Sequence, residues 1–479
     1  MKKITALFLC LTLFLSIVPV ASAKSAEEVG SGYDASYVPQ LHINTENGNG
    51  TSLEKADGYT NATFSIDDGN AEPIIVKVRG NSTAMTPKKA FTFKFEKKKD
   101  LFGMGKGKKW VLLANAFDPT LLRNYVAFDF AQELGIAYTS NQKIVELWLD
   151  GKFRGCYTLM EPVQEGKDRV DIDIDGNKDF LLELERSRVD EDTTYITTKD
   201  GLRFAVSEPD EPDNEQVNYI TSEMNRYTDI INSGNEEEIR ANIDVDSFVK
   251  FFVINEFVKM NDFNFSSVFF YSKNSKLCAG PPWDFDLTMG NVNKDFSANS
   301  AEAIKPEGEY IYDKLFYKKL YSYDWFKNLI CLEYERHSKY IRNIYKDGGL
   351  IDSLARDYKP VFDRNYNEAG WKIRYLINVM MYPLPTYEEN LEYFKSWVAQ
   401  RDKWLSEFYR IDTLPFRTAD CDGDSIIDIK DATLLQKALA MLTDLTDIQN
   451  AAADVNRDGI IDIRDVTEIQ KIAASFKSE

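Results

Sequence analysis

Short hydrophobic segments predict β-strands in the first third of the chain. Residues 74–78, 91–95 and 110–113 are rich in β-branched and aromatic side chains, and in 91–95 the aromatic residues occupy every second position. Such composition and alternation are typical of strands. An Asp-Gly pair at 150–151 joins two further segments of this kind and predicts a hairpin over 145–157. This part of the chain is therefore expected to be rich in sheet.

Apolar spacing of three and four residues replaces this pattern in the second half and predicts helices. One helix is also expected within the first half, with Asp118 as its N-cap and Pro119 at its first position. A second hairpin is predicted over 267–280. The expected fold class is α+β, with a sheet-rich lobe followed by a helical lobe. The predicted helices cover approximately residues 118–134, 212–233, 245–260, 315–345 and 387–409.

Length and charge narrow the function classes. A chain of 479 residues exceeds what one hydrophobic core normally supports, so more than one domain is expected. The formal net charge is -19, and the basic residues form no long stripe, which argues against nucleic acid as a partner. The chain has only two histidines, His42 and His337, so a site built from several imidazoles is not expected.

The first 23 residues have the pattern of a secretory signal peptide. Two lysines precede an apolar run over about 6–20, and Ala-Ser-Ala follows at 21–23. No later apolar run is long enough to cross a bilayer, so a secreted protein without a membrane segment is expected. The cysteines outside this predicted signal peptide are too few and too dispersed for a disulfide scaffold, and their pairing is left open. They are Cys156, Cys278, Cys331 and Cys421.

The C-terminus contains one loop pattern twice, beginning at residues 420 and 454. Oxygen-bearing side chains occupy loop positions 1, 3, 5, 9 and 12, and a backbone carbonyl is available at position 7. This spacing wraps hard oxygen ligands around calcium, so two Ca²⁺ ions are expected. Each loop leads into one helix, over about 431–442 and 465–475. The predicted ligands are Asp420, Asp422, Asp424, Ile426, Asp428 and Asp431, then Asp454, Asn456, Asp458, Ile460, Asp462 and Asp465.

These two loops resemble a type I dockerin, the small all-α calcium-binding module with two EF-hand-like loops that binds cohesin domains of cellulosome scaffolds. The resemblance implies a cohesin as partner. It also implies that the contacts come from Ile429, Lys430, Ile463 and Arg464, although the two isoleucines are equally compatible with core positions. The expected domains are a signal peptide over 1–23, a large module over 24–410, a short linker over 411–417 and the dockerin over 418–479.

Carboxylates mark the junction between the predicted sheet-rich and helical lobes. Asp262 follows a predicted helix, and Asp284 and Asp286 follow the second hairpin. Protein kinases have the same order of helix, Asp loop, two strands and a second Asp motif. In kinases an Asn five residues after the loop Asp also binds metal. Ser267 stands there in this chain, with Asn264 as an alternative.

Seven motifs together resemble the CotH family of atypical, secreted kinases over about residues 36–410. The resemblance implies an atypical protein-kinase-like fold of two lobes and ATP-dependent phosphorylation of Ser or Thr on secreted proteins, with Mg²⁺ or Mn²⁺. The motifs are Arg79-Gly-Asn-Ser-Thr83, Pro87-Lys-Lys89, Lys109-Trp-Val-Leu-Leu-Ala-Asn115, Leu122-Arg-Asn124, Gly155-Cys-Tyr-Thr-Leu-Met-Glu161, Asn261-Asp262 and Pro282-Trp-Asp-Phe-Asp-Leu-Thr-Met-Gly290.

The resemblance also implies roles for individual residues. Asp262 would be the catalytic-loop carboxylate, and Asp284 would bind the metal ion together with Asp286 and Ser267. Lys88 or Lys89 would bind the nucleotide phosphates, as the family's basic pair before a strand. We favour Lys88, with Glu161 as its ion-pair partner, while Lys94 lies on the opposite side of its strand from Phe91, Phe93 and Phe95.

Two other function classes stay open at this point. A polysaccharide hydrolase would fit a dockerin-bearing protein and would use the paired carboxylates of Asp262, Asp284 and Asp286. A non-catalytic adhesion or structural module would fit the serine at position 267, where kinases have a metal-binding Asn. Hydrolysis without nucleotide would identify the former. The absence of any nucleotide-induced thermal shift would favour the latter.

Overall fold

The computed structural model describes most of the chain. The predicted signal peptide over 1–23 and the predicted linker over 411–417 lie outside the described residues, as does Asp458. The described ranges are 33–176, 178–186, 193–373, 384–410, 418–424, 426–456 and 460–475.

Seven strands of the N-terminal half form one sheet that closes into a barrel in the order β1-β2-β3-β4-β5-β7-β6. The β1–β6 pair is parallel, and the other neighbours are antiparallel. Aromatic and aliphatic residues such as Phe93, Trp110 and Leu112 fill the interior, which explains the alternation in the sequence. The strands are β1 Gln40–Thr45, β2 Thr60–Ile66, β3 Glu72–Arg79, β4 Ala90–Asp100, β5 Lys106–Leu113, β6 Gln142–Leu149 and β7 Lys152–Met160.

The strand predictions in this region are confirmed. The segments predicted as strands lie within β3, β4 and β5, and the predicted hairpin is formed by β6 and β7. Its turn residues Asp150 and Gly151 have φ values of 49° and 70°, the left-handed conformation that a two-residue hairpin turn needs at both positions.

The predicted start of the first helix is wrong. Helix α1 spans Arg123–Glu133 and does not begin at Asp118, because Leu121 adopts a left-handed φ of 61° that interrupts helical geometry. The Asp118 carboxylate still accepts hydrogen bonds from the backbone N–H groups of Leu122, at 2.9 Å, and Arg123, at 2.7 Å. It also binds the Arg123 guanidinium at 2.6 Å, and both side chains are buried. Asp118 therefore stabilises the helix start from outside the helix.

A second, antiparallel sheet of five strands has the order β12-β11-β8-β10-β9 and packs with the helices of the second half. The predicted helix over 315–345 is two helices, since Tyr323 has extended backbone angles. The strands are β8 Leu181–Glu185, β9 Tyr195–Thr197, β10 Arg203–Glu208, β11 Ser266–Lys273 and β12 Lys276–Ala279. The helices are α2 Asn214–Ser233, α3 Glu236–Asn242, α4 Val245–Val258, α5 Ala298–Ala303, α6 Tyr317–Leu320, α7 Asp324–Tyr345, α8 Leu350–Asp357, α9 Lys359–Asn367 and α10 Tyr387–Phe408.

The C-terminal domain contains the helices α11 Ile429–Leu439, α12 Asp447–Ala453 and α13 Ile463–Ser475. Its small core includes Leu435, Val466 and Ile469. Arg336 on α7 donates a hydrogen bond to the Ala451 carbonyl on α12, so this domain contacts the large module. The expected α+β class is confirmed, with a sheet-rich region first, helices after it and a small helical domain at the end.

The four cysteines outside the predicted signal peptide are free thiols. Over the ranges that the structure covers, every helix is too short or too polar to cross a bilayer.

A buried ion pair joins three parts of the helical region. The Arg401 guanidinium on α10 binds the Glu256 carboxylate on α4 at 2.6 Å, and the two side chains are 0% and 2% exposed. Arg401 also donates hydrogen bonds to the carbonyls of Pro306 and Gly308, both at 2.8 Å. The second Glu256 oxygen accepts hydrogen bonds from the backbone N–H groups of Tyr310, at 3.0 Å, and Ile311, at 2.7 Å. The pair is thus fully satisfied by hydrogen bonds.

Arg401→Ala is expected to lower the free energy of unfolding of the large module by about 3–5 kcal/mol, because the variant leaves the Glu256 carboxylate buried without its counter-charge. Urea denaturation followed by circular dichroism measures the change. Lys359→Ala is the matched control, since it removes one partner of an exposed helical ion pair with Asp363 and should have a much smaller effect. Equal losses in the two variants would contradict this account of the ion pair.

Candidate functional site

Asp262 lies in the turn that follows α4, and its neighbours hold it in place. The Asn261 side chain donates a hydrogen bond to the Asp262 carboxylate at 2.9 Å. Asn261 is itself buried, and its side-chain oxygen accepts a hydrogen bond from the Ser300 hydroxyl at 3.0 Å. The Tyr310 hydroxyl donates to the Asn261 carbonyl at 3.3 Å. Hydrogen bonds therefore hold the loop that carries the predicted catalytic carboxylate.

Ser267 and Asp284 are in contact, as the prediction of a shared metal site requires. The Ser267 hydroxyl donates a hydrogen bond to the Asp284 carboxylate at 3.2 Å. The pairing of β11 with β8 is irregular between Ser266 and Phe269, which is where Ser267 lies. Ser267 and Asp284 have φ values of 62° and 68°. Left-handed backbone at non-glycine residues is costly, and such residues cluster at functional sites.

Asp286 is buried beside the other two predicted acids. Burial raises the pKa of its carboxyl well above the usual range, and the charges of Asp284, Asp262 and Asp118 raise this pKa further. The structure thus brings Asp262, Asp284, Asp286 and Ser267 into one acidic cluster. A divalent cation would neutralise this negative charge.

The carboxylates of the acidic cluster are less tightly grouped than those of the first C-terminal loop. Among the described residues, three carboxylates whose oxygens lie within 4.8 Å of one another occur in the C-terminal domain, not in this cluster. Mg²⁺ is usually bound by one or two carboxylates together with substrate phosphates and water, so a complete cage of protein ligands is not required. Within the acidic cluster, Asp284 contacts Ser267, and the charges of Asp284 and Asp262 act on Asp286.

Three basic residues, which we call the basic face, project from the outside of the barrel: Arg79 on β3, Lys94 on β4 and Lys109 on β5. Lys94 and Lys109 are paired in the strand register. Burial lowers the pKa of Lys109, and the charges of Lys94 and Arg79 lower it further, so the three groups lie near one another. The charges of Glu208 and Asp210 act in the opposite direction. Sequence reasoning singled out Lys94 but missed Arg79 and Lys109 as site residues. Their alternation with core residues in β3, β4 and β5 was the available signal.

Arg79 connects the basic face with the acidic cluster. Burial lowers the pKa of its guanidinium, while the charges of Asp284 and Glu183 act in the opposite direction. The guanidinium carbon lies 5.2 Å from the centroid of the Trp283 ring. Glu183, on β8, was also missed from sequence, and its carboxylate accepts a hydrogen bond from the Ser267 N–H at 3.3 Å. Positive and negative groups therefore face each other across the site.

Lys88, the favoured phosphate-binding residue from sequence, is buried against protein groups. Its ammonium donates hydrogen bonds to the Cys156 carbonyl at 2.6 Å and to the Asn365 side-chain oxygen at 2.8 Å. Burial lowers its pKa to about 7. A Cβ atom on Gly155 would lie 2.5 Å from the same Asn365 oxygen, so glycine allows α9 to approach β7 here. In this structure Lys88 joins β7 to α9.

The other two predicted nucleotide-binding residues also have protein partners. Lys89 forms an ion pair with Glu54 at 2.8 Å. Glu161 accepts a hydrogen bond from the Asn141 N–H at 2.7 Å and pairs with Arg169. The predicted Lys88–Glu161 ion pair is therefore wrong, because Arg169 occupies the position beside the Glu161 carboxylate.

The two C-terminal loops have the same internal hydrogen bonds, as their sequence repeat predicts. The position-12 carboxylate of the first loop, Asp431, accepts hydrogen bonds from the N–H groups of Cys421, Asp422 and Asp428, at 2.7, 3.1 and 2.8 Å. In the second loop the Asp465 carboxylate accepts them from Val455, Asn456 and Asp462, at 2.9, 3.1 and 3.0 Å. Asp431 and Asp465 are both fully buried. Each loop is thus closed around its last residue.

The first loop offers a set of oxygens that fits calcium. Carboxylate oxygens of Asp420, Asp422 and Asp431 lie within 4.8 Å of one another. Clustered hard oxygen ligands in one short loop are what Ca²⁺ binds. In the second loop the structure describes five of the six predicted ligands, because Asp458 lies outside the described residues. The five are Asp454, Asn456, Ile460, Asp462 and Asp465.

The residues predicted to contact a cohesin lie at equivalent positions on the first turns of α11 and α13. Ile429 and Ile463 are 54% and 62% exposed, so the alternative that they belong to the core is wrong. Lys430 forms an ion pair with Asp424 at 2.9 Å, and Arg464 pairs with Asp462 at 2.8 Å. The repeat therefore presents two related surface patches.

Comparison with known proteins covers both parts of the chain. A family model described as CotH kinase protein matches residues 76–405, and a model described as Dockerin type I domain matches residues 418–472. Inner spore coat protein H of Bacillus subtilis (strain 168) is 23% identical over 228 residues, which are 45% of this chain and 59% of that protein. The chain thus spans less than two thirds of that relative. Because the first match covers more than half of the sequence, the chain belongs to the CotH kinase protein family, and a type I dockerin domain follows its CotH domain.

Proposed function

We propose that the protein is a secreted, cellulosome-associated kinase with a two-lobe, kinase-like fold, which transfers the γ-phosphoryl group of ATP to a Ser or Thr hydroxyl of a secreted or scaffold-associated protein. The observation that carries this proposal is the meeting of the acidic cluster with the basic face. Phosphoryl transfer needs both features, because carboxylates hold the metal ion and the acceptor while cations neutralise the phosphates.

The proposed reaction assigns a separate task to Asp262. Its carboxylate accepts the proton of the acceptor hydroxyl while the hydroxyl oxygen forms a bond to the γ-phosphorus, and the bond between that phosphorus and the ADP oxygen breaks. The products are the phosphorylated side chain, ADP and a proton held by Asp262. The hydrogen bond from Asn261 keeps this carboxylate in a fixed orientation.

Asp284 is proposed as the main ligand of Mg²⁺ or Mn²⁺, with Asp286 and Ser267 completing the protein side of the site. The metal ion would join the phosphates to the protein and neutralise part of their charge. The raised pKa of Asp286 is consistent with a cluster that holds more negative charge than its surroundings balance without a cation.

Arg79, Lys94 and Lys109 are proposed as the phosphate-binding groups. Their charges lie close together, and Arg79 is attracted to Asp284. The role of Lys88 in nucleotide binding stays a prediction from sequence. The KM experiment below compares a Lys88 variant with variants of the basic face.

The C-terminal domain is proposed to bind two Ca²⁺ ions and to attach the protein to a cohesin through Ile429, Lys430, Ile463 and Arg464. The oxygens gathered around Asp431 support the calcium sites, and the two exposed isoleucines support the docking surface. A cohesin partner and a signal-like N-terminus together favour secretion.

A non-catalytic kinase-like module is the second candidate. The specific observation in its favour is the name of the relative, which describes that protein as part of the inner spore coat. Serine at position 267, in place of a metal-binding Asn, points in the same direction.

Asp284→Asn is expected to abolish phosphoryl transfer from ATP while the thermal unfolding midpoint changes little, because the substitution removes a metal-binding charge and keeps the side-chain volume. Incorporation of radioactive phosphate from labelled ATP into secreted proteins or into the protein itself measures transfer. Asp295→Asn makes the same chemical change at an exposed residue and should retain wild-type activity.

Full activity of Asp284→Asn would remove this residue from the mechanism. If the wild-type protein neither transfers phosphate nor shows a thermal shift with ATP and Mn²⁺, the non-catalytic candidate is favoured instead.

Lys94→Met and Lys109→Met are each expected to raise the KM for ATP about tenfold or more, since each removes a charge-assisted contact with phosphate. Steady-state kinetics at saturating metal measures the change. Lys98→Met is the matched control, because Lys98 lies further along β4 and is exposed. A raised KM in Lys88→Met, with unchanged values for the other two variants, would support Lys88 and contradict the assignment to the basic face.

Removal of calcium is expected to unfold the C-terminal domain and abolish cohesin binding, because the clustered carboxylates of each loop then repel one another. Calorimetry with and without a chelator measures unfolding, and the transition of the large module should persist. Asp431→Ala should weaken calcium binding at the first loop, whereas Asp444→Ala, at an exposed residue outside the loops, should not. Unchanged unfolding and binding in chelator would show that the loops are not calcium sites.

A further inference from the structure

Asn124, at the start of α1, contacts the backbone between the two aspartates of the acidic cluster. Its side-chain oxygen accepts a hydrogen bond from the Phe285 N–H at 2.8 Å. Phe285 stands directly between Asp284 and Asp286, and Asn124 is buried. The Asn124 side chain thus binds the segment that carries both carboxylates, although it is not itself part of the acidic cluster.

The orientation of the Asn124 amide follows from its partners. A backbone N–H can only donate, so the side-chain oxygen must face Phe285 and the NH₂ group must find an acceptor elsewhere. That acceptor is the Asn115 side-chain oxygen at 3.0 Å, and the Asn115 NH₂ group in turn donates to the Thr158 hydroxyl at 2.9 Å. Asn115 and Thr158 are buried as well. The result is a chain of hydrogen bonds from β7 of the barrel to Phe285.

This chain of hydrogen bonds ends next to a residue with strained backbone. Asp284 has a left-handed φ of 68°, which a non-glycine residue keeps only if surrounding contacts hold it. Other contacts hold the far side of the segment: Asn291 donates to the Asp286 carbonyl at 2.7 Å, and the Met289 N–H donates to the Val258 carbonyl at 2.8 Å. At Phe285 itself the Thr288 hydroxyl donates to the backbone carbonyl at 2.6 Å, from within the same segment, whereas Asn124 binds the backbone N–H from α1.

We propose that Asn124 is a positioning residue for the metal site: it holds the Phe285 backbone, and through it keeps the Asp284 and Asp286 carboxylates in the arrangement that binds a divalent cation. Asn115 and Thr158 orient Asn124 and link this arrangement to the barrel. The inference rests on the proposed function, because the cation is the one that would accompany ATP. Residues that orient metal ligands typically change metal affinity by 10- to 100-fold when they are removed.

The test is Mn²⁺ binding to the full chain with ATP present and the calcium loops saturated with Ca²⁺, measured by electron paramagnetic resonance. The Asp284→Asn variant measures the Mn²⁺ binding that does not depend on Asp284. Asn124→Ala should weaken Asp284-dependent Mn²⁺ binding about tenfold or more and lower kcat, while the KM for ATP at saturating Mn²⁺ stays near the wild-type value. Asn115→Ala keeps Asn124 but removes the acceptor that orients it, and it should weaken Mn²⁺ binding in the same direction.

Asn390→Ala is the matched control, since Asn390 is a buried asparagine that donates to the backbone carbonyls of Leu384, at 3.2 Å, and Thr386, at 2.6 Å, at the start of α10. It should lower the thermal midpoint as much as Asn124→Ala but leave Mn²⁺ affinity unchanged. Wild-type Mn²⁺ affinity in both Asn124→Ala and Asn115→Ala would overturn the proposal, as would an equal loss of affinity in Asn390→Ala.

The outcomes also separate this inference from the proposed function. If the wild-type protein binds Mn²⁺ through Asp284 but transfers no phosphate, the kinase proposal fails and the role of Asn124 is still decided by the affinities. The absence of any Asp284-dependent Mn²⁺ binding in the wild-type protein would overturn both.

Discussion

The ion pair between Glu256 and Arg401 is the interaction on which the arrangement of the helical region depends. Arg401 comes from α10, late in the chain, and reaches the end of α4, from which the Asp262 loop starts. Glu256 holds the backbone of Tyr310, and the Tyr310 hydroxyl in turn holds the Asn261 carbonyl. A buried ion pair is costly unless hydrogen bonds satisfy both partners, and here backbone groups from the segment 306–311 do so. Rigidity at Asp262 therefore follows from contacts made far away in sequence.

The acidic cluster and the basic face carry opposite charges and lie next to each other. Asp284 and Asp286 stand in a segment of large apolar residues, where unpaired carboxylates are unfavourable. Arg79 supplies part of the opposing charge, and α1 supplies the hydrogen bond at Phe285. The barrel contributes the cations and the helical region contributes the carboxylates, so the proposed site lies where the two regions meet. A bound cation with an anionic substrate would neutralise both surfaces at once.

The C-terminal domain follows a different principle, because its organisation is local. In each loop one buried aspartate, Asp431 or Asp465, binds the backbone of residues no more than ten positions away. The same twelve-position pattern therefore produces the same loop twice, with little help from the rest of the molecule.

Local patterns alone determined β3, β4 and β5 of the barrel, the β6–β7 hairpin, most helices, both calcium loops and the order of Asp262, Asp284 and Asp286. These features depend on neighbours in sequence, through the period of apolar residues or the spacing of ligands. Tertiary structure decided the rest. The left-handed backbone at Leu121 moves the start of α1, and Arg169 pairs with Glu161 in place of Lys88. Lys88 is buried between β7 and α9, where protein groups accept its hydrogen bonds. It also brought Arg79 and Lys109 near each other and placed Asn124 against Phe285. A side chain's partner and burial are set by which distant segments pack beside it, and that information is absent from local sequence.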